Sequence, residues 1–379
     1  MHVLFGATPS GGHVLPLIPL ARAAHAAGHK VAILSCAALA PLLEPFDVLT
    51  AGPGLEEQME ETQRRTGLHP SQPGPAAVEH FAGTRVDLTY AEALARATAF
   101  RPDLIVTEPF DFVSPMLAAA LDVPWAAHGI SGSVPAELMV SMYERWQAQL
   151  DRHALRATPR LAYLDPYPAS LRQEGETFEA DRIAVRPVPF DRDGDTFEIP
   201  KFEDETRPRA LLTLGNTVGD PHAEEGMSRS LVAAGFNVFV AGSQEPARFE
   251  QHVHRTGFVP LARILPWADV VVSAAGTGTM LAALSAGIPM VVRPFHADQP
   301  WNATRLTRAG LAKAVDAFED TGPAALDIVS QPSFRRSAGQ TAVEIAGMAS
   351  PAEILLTLER AVDERGDHEK TPVRWSPAR

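Results

Sequence analysis

Over most of the chain, short apolar runs alternate with stretches of helical period. HVLFGA (2–7) leads into a helical pattern over about 15–27, closed by Gly28, and then into KVAILS (30–35). A glycine just past the last helical residue takes left-handed backbone cheaply, which predicts the stop there. PDLIVTEP (102–109), an apolar helix over about 113–121 and VPWAAHG (123–129) repeat the alternation. Strand, helix and strand with short connections predict a parallel sheet with helices on both faces. From about 166 to 208 the pattern lapses into proline and charge, as in RPVPFDRDGDTFEIP. It resumes with RALLTLGN (209–216), FNVFVAG (236–242), DVVVSAAG (269–276) and IPMVVRP (288–294). The predicted class is α/β, with two Rossmann-like doubly wound parallel-sheet domains over 1–190 and 209–362. A linker spans 191–208, and the polar, proline-containing residues 363–379 read as a mobile tail. Two such domains place a cleft between them, and ligands of such sheets bind beyond the carboxyl ends of the strands.

Composition narrows the function. The 379 residues exceed one ordinary core, and apolar residues make up 45% and charged ones 21%, as in a globular protein. No apolar stretch approaches the roughly 20 residues of a membrane span. The N-terminus lacks the basic flank of a signal peptide. A net charge of −13 argues against nucleic acid and anionic membrane as partners. The single cysteine, Cys36, fits a reducing compartment. These features predict a cytoplasmic monomer or homodimer that handles small molecules.

The first candidate chemistry lies in TPSGGHVLPLIPLA (8–21), directly after the first strand. A dinucleotide site needs G-x-G-x-x-G and an acidic residue ending the second strand. Here Gly11 and Gly12 are adjacent, no third glycine follows, and the strand ends in Ser35-Cys36. No lysine follows the glycines, so the phosphate loop of the Walker type is also absent. His13 then carries the interest. It sits at a strand's carboxyl end and a helix N-terminus, where neutral imidazole is favoured and can act as a general base. Glu108, after DLIVT, is the candidate to orient that ring, with Asp111 as its substitute. Position alone leaves helix capping open for all three.

The segment GFVPLARILPWADVVVSAAGTGTMLAALSAGIPMVVRPFHADQPWNATRL (257–306) resembles the donor-binding signature of the family 1 glycosyltransferases. SGGHVLPLIPLA and RPDLIVTEPFDFVSPMLAAALDVP resemble the family's catalytic-histidine loop and the stretch with its acidic partner. LDPYPASL, RPVPF and LTLGN are similar to bacterial members that decorate natural products, notably those of the calicheamicin type. The resemblance covers nearly the whole chain except the tail. It implies the GT-B fold and inverting sugar transfer from a nucleotide diphosphate to a small acceptor. It implies His13 as base and Glu108 as its partner. It places Gly12, Asn216, Thr217, Phe258, Val259, Ala275, Gly276, Thr277, Gly278, Thr279, Asp298 and Gln299 around the donor. Phe258 would stack on the nucleobase and the Val259 backbone would pair with its edge. Asp298 and Gln299 would hold sugar hydroxyls. Main-chain N–H groups of GTGT and two threonine hydroxyls at a helix start can take a diphosphate without lysine or metal.

Two positions depart from the family pattern. Ala274 stands where related donor sites carry a phosphate-binding histidine. Loss of that bond would cost about 1.5–3 kcal/mol, or roughly one to two decades of affinity. Ala282 stands where users of UDP-sugars place a glutamate on the ribose hydroxyls. A deoxynucleotide needs no such acceptor, so the co-substrate is expected to be a dTDP-sugar, without further cofactor. The alternatives are a UDP-sugar user, a weakened auxiliary protein that only binds nucleotide sugar, and a sugar-nucleotide epimerase. The acceptor is expected to be a hydrophobic aglycone, bound by loops within 55–90 and 131–150. Phe81, Met139, Met142 and Trp146 are candidate contacts, with helix packing the competing role for each.

Overall fold

A computed structural model describes residues 1–71, 73–132, 134–172, 181–191, 199, 201–215, 219–243 and 248–367. The chain divides into two compact units. The first comprises Met1–Pro166, Thr177–Val185 and Ala349–Arg379, and the second Tyr167–Glu176 and Arg186–Met348.

The first unit is built on seven parallel strands. They are β1 (His2–Gly6), β2 (Lys30–Ser35), β3 (Asp47–Thr50), β4 (Leu104–Thr107), β5 (Trp125–His128), β6 (Tyr163–Asp165) and β7 (Arg182–Ala184). Their order is β3-β2-β1-β4-β5-β6-β7. The order reverses direction between β1 and β4, where Val3 pairs with Leu104 and Gly6 with Thr107. The loops leaving these neighbours go to opposite faces, so a crevice opens at their carboxyl ends.

The predicted helix after β1 is broken into a turn Gly11–Val14, a 3₁₀ turn Leu15–Leu17 and a helix Ile18–Ala26. Pro16 and Pro19 account for the breaks, since neither can donate to an i−4 carbonyl. Gly28 follows at φ +84°. Residues 55–90, expected as loops, are mostly helical: Leu55–Thr66, Pro75–Glu79 and a π-turn His80–Thr84 that runs into Arg85–Phe100.

The second unit repeats the architecture with β8 (Arg209–Thr213), β9 (Asn237–Ala241), β10 (Arg248–Glu250), β11 (Val253–Thr256), β12 (Val270–Ser273), β13 (Met290–Val292) and β14 (Ala312–Ala314). The order is β10-β11-β9-β8-β12-β13-β14, and only the edge pair β10/β11 is antiparallel. Its strands bury both faces. Leu211, Phe239, Val271 and Met290 join one apolar cluster, while Ala210, Leu212, Val238, Val240, Val270 and Val272 join the other. This is why these strands read as unbroken apolar runs rather than alternating ones.

The C-terminal helix corrects the expected boundaries. Pro351–Asp367 begins inside the predicted second domain and ends inside the predicted tail, yet it packs on the helix Ile18–Ala26 of the first unit. Ile354, Leu355 and Leu358 are buried, and Glu359 accepts from His29 Nε2 at 2.5 Å. An amphipathic helix follows whichever unit offers it an apolar face. Residues 368–379 of the predicted tail and part of the predicted linker lie outside the described residues. Among the described residues, no helix is long and apolar enough to cross a membrane.

Candidate active site

At the crevice of the first unit, His13 Nδ1 lies 2.9 Å from Glu108 Oε1. Glu108 is 1% exposed. Its Oε1 also accepts from the Thr8 N–H at 3.0 Å, and its Oε2 accepts from the Phe110 N–H at 2.7 Å. Burial opposes ionisation of this carboxyl. The charge and hydrogen bond of His13, helped by the two main-chain N–H groups, outweigh it and hold the pKa below the ordinary range. A carboxylate only accepts, so the imidazole proton sits on Nδ1 and Nε2 keeps its lone pair. His13 is 20% exposed in its side chain, and its ring lies 5.8 Å from Phe81 and 5.9 Å from Phe110. A lone pair on a partly exposed ring, backed by a buried carboxylate, is suited to removing a proton.

Asp111 does not face the imidazole. Its Oδ1 accepts from Arg85 Nη2 at 2.9 Å and from the Val113 N–H at 3.1 Å, and its Oδ2 accepts from Thr107 and Ser114. The same Arg85 nitrogen donates to the Ala7 carbonyl at 2.8 Å. Arg85 thus holds both segments whose N–H groups bind Glu108. Close packing leaves no room for a side chain at Gly6, where a Cβ would lie 1.9 Å from Ser114 Oγ.

Of the residues expected near an acceptor, only Phe81 touches the histidine ring. Met142 and Trp146 are buried on the helix Ala136–Arg152, and the Trp146 indole donates to the Phe112 carbonyl at 3.0 Å. They belong to the core, and their expected ligand contact is corrected accordingly. Met139 is half-buried against the same core. Gly12 is exposed.

In the second unit, the loop after β12 opens the helix Thr277–Ser285. Its first internal hydrogen bond runs from the Met280 N–H to the Gly276 carbonyl. The N–H groups of Thr277, Gly278 and Thr279 precede that bond and have no helical partner. Thr279 is half-buried and Gly278 exposed, whereas Thr277 is 8% exposed. The Thr277 hydroxyl does not point outward. It donates to Asp298 Oδ2 at 2.6 Å and lies 2.7 Å from the Tyr167 hydroxyl. This corrects its expected role as a hydroxyl presented to phosphate.

Gln299 is 3% exposed, and its Oε1 accepts from the N–H groups of Phe295 and His296 at 2.8 and 3.0 Å. Only its Nε2 remains to meet a ligand. Phe258 is 49% exposed, unusual for a phenylalanine, and meets Phe190 edge-on at 6.1 Å. Val259 behind it is buried, as are Ala274, Ala275 and Ala282. Asn216 and Thr217 lie outside the described residues.

Sequence reasoning passed over Thr8, Arg85, Phe110, Tyr167 and Asn302. Asn302 had a readable signal, since it lies four residues after Asp298 and so shares its helix face. Arg85 and Tyr167 had none, because their contacts cross long stretches of chain.

Comparison with known proteins agrees with this architecture. The models for the N-terminal and C-terminal domains of erythromycin biosynthesis protein CIII-like proteins match residues 22–215 and 241–361. L-demethylnoviosyl transferase of Streptomyces niveus is 29% identical over 328 residues, 82% of this chain and 84% of that protein. Elloramycin glycosyltransferase ElmGT of Streptomyces olivaceus is 26% identical, with 95% of this chain and 97% of that protein covered. Among solved structures, the Streptomyces sp. SF2575 glycosyltransferase SsfS6, complexed with thymidine diphosphate, is similar at TM-score 0.81 and 31% identity. That match covers 95% of this chain and 99% of that one. The chain therefore belongs to the erythromycin biosynthesis protein CIII-like family and is a family 1 glycosyltransferase with the GT-B fold.

Proposed function

We propose that the chain transfers a deoxysugar, with inversion, from a dTDP-sugar to a hydroxyl of a small hydrophobic natural-product aglycone. The reading is carried by the pair His13–Glu108 at the switch point of the first sheet. His13 Nε2 takes the acceptor's proton as its oxygen attacks the anomeric carbon, and Glu108 stabilises the resulting imidazolium. The nucleotide diphosphate leaves toward the N–H groups of Thr277, Gly278 and Thr279, where a helix end favours an anion. The nucleotide sugar is a co-substrate, and no step requires a bound metal.

Support for thymidine comes from two sides. A relative 31% identical was solved with thymidine diphosphate. Ala282 offers no acceptor to a ribose 2′-hydroxyl. The exposed Phe258 ring offers an aromatic face on which a base could stack. On the acceptor side, the rings of Phe81 and Phe110 beside His13 favour an apolar partner.

A mass-spectrometric screen of dTDP- and UDP-sugars against polyketide-type acceptors, with His13→Ala as control, tests the reading. Glycosylated product from dTDP-sugars, insensitive to EDTA and lost in the control, is expected. Binding without transfer would make the chain an auxiliary protein, and release of an epimer without acceptor would make it an epimerase.

A further inference from the structure

Asp298 is held from behind by a buried polar clamp. Its Oδ2 accepts from the Thr277 hydroxyl at 2.6 Å and from Asn302 Nδ2 at 2.8 Å. Asn302 Nδ2 also reaches the Ala275 carbonyl at 2.9 Å, which fixes the amide's orientation. The Tyr167 hydroxyl closes the circuit, 2.7 Å from Thr277 Oγ1 and 2.9 Å from Asn302 Oδ1. Tyr167 is 4% exposed and Asn302 fully buried. Both hydroxyl protons are engaged inside this circuit, that of Thr277 on Asp298 Oδ2 and that of Tyr167 on Asn302 Oδ1 or Thr277 Oγ1, so neither is turned toward a ligand. Among the described residues nothing bonds the other carboxylate oxygen, Oδ1, and Asp298 is only half-buried.

We infer that Tyr167 is a positioning residue for sugar recognition, which through Thr277 and Asn302 locks Asp298 Oδ2 and leaves Oδ1 aimed at a hydroxyl of the donor sugar. The inference rests on the nucleotide-sugar reading above and deepens it. Tyr167 itself touches no ligand. Its effect is to spare the carboxylate the rotational freedom that it would otherwise lose on binding. Without the Tyr167 hydroxyl, Asn302 Oδ1 is buried with no donor and Thr277 Oγ1 loses a neighbour, so the two groups that hold Asp298 Oδ2 gain freedom.

Calorimetry with thymidine diphosphate and with dTDP-glucose, on wild type, Tyr167→Phe, Asp298→Ala and the double variant, tests this. In Tyr167→Phe the Kd for thymidine diphosphate is expected within twofold of wild type. The Kd for dTDP-glucose should rise about tenfold, the size of one charge-assisted hydrogen bond lost. The double variant should bind dTDP-glucose no more weakly than Asp298→Ala alone, because Tyr167 acts through Asp298. Equal weakening of both ligands would mark a structural role and overturn the inference, as would unchanged dTDP-glucose binding or additive losses. Absence of thymidine diphosphate binding in the wild type would instead remove the nucleotide-sugar reading and the inference with it.

Discussion

The imidazole of His13 and the carboxylate of Glu108 are 95 residues apart in sequence and 2.9 Å apart in space. Adjacent parallel strands, β1 and β4, bring them together, and main-chain N–H groups from both loops hold the carboxylate in place. His13→Ala should lower the transfer rate by about 10²-fold or more, and Glu108→Gln by a smaller factor, since the ring loses its charge partner but not its neighbours. Thymidine diphosphate affinity should not change in either variant. Initial rates beside calorimetry decide it, and normal turnover in His13→Ala would take the imidazole out of the chemistry.

Acid should weaken the fold through a neighbouring histidine. His80 is buried, with Nδ1 3.2 Å from Thr62 Oγ1, and burial with the nearby Arg85 charge pushes its pKa down to about 4. Unfolded, it titrates near 6.5, so below that pH the unfolded chain binds the extra proton. Its stabilising contribution is complete above pH 6.5 and is lost as pH falls toward 4, at about 1.4 kcal/mol per unit. Glu108, with its pKa lowered in the fold, adds a loss in the same direction at still lower pH. Urea unfolding at pH 7.5 and pH 5 should show His80→Gln losing about 2 kcal/mol less than wild type over that interval. Parallel losses would refute the assignment.

How far these features could be read from sequence depends on the range of the contacts. The strands of both sheet centres were legible because buried parallel strands are continuous apolar runs, as VVVS at 270–273 shows. The short edge strands Asp47–Thr50 and Ala312–Ala314 carry too little apolar pattern to stand out. His13 and Glu108 were legible because each follows a strand. Thr277 was misread because its hydroxyl is claimed by Asp298 and Tyr167, one 21 and the other 110 residues away. For Trp146 ligand contact and helix packing both stayed open in the sequence, because helix period alone does not say which apolar face is core.

The pair Arg85–Asp111 is the buried brace of the site, at 3% and 1% exposed. Arg85→Met would leave the Asp111 charge without its partner and should cost about 3–5 kcal/mol. Asp111→Asn keeps the cap shape and should cost less. The double variant should lose less than the two singles added, because removing both charges removes the desolvation penalty as well. Denaturant melts of the four proteins measure the coupling, and strict additivity would show that the two charges do not interact.

Ala275 is the one residue of the loop before Thr277 whose conformation opposes its side chain. It stands at φ +63°, in the left-handed region, with its carbonyl accepting from Asn302 and its N–H donating to Ser273 Oγ at 3.1 Å. A Cβ in that region costs about 1–2 kcal/mol, and glycine relieves it while giving the unfolded chain about 0.4–1 kcal/mol of extra freedom. The strain relief is the larger effect. Ala275→Gly should therefore stabilise the second unit by about 0.5–1 kcal/mol and raise Tm by about 1–3 °C. Both main-chain hydrogen bonds survive the change, so thymidine diphosphate should bind as in wild type. A calorimetric melt with and without the nucleotide is the measurement, and a fall in Tm would mean that the Ala275 methyl contributes more by packing than its backbone loses by strain.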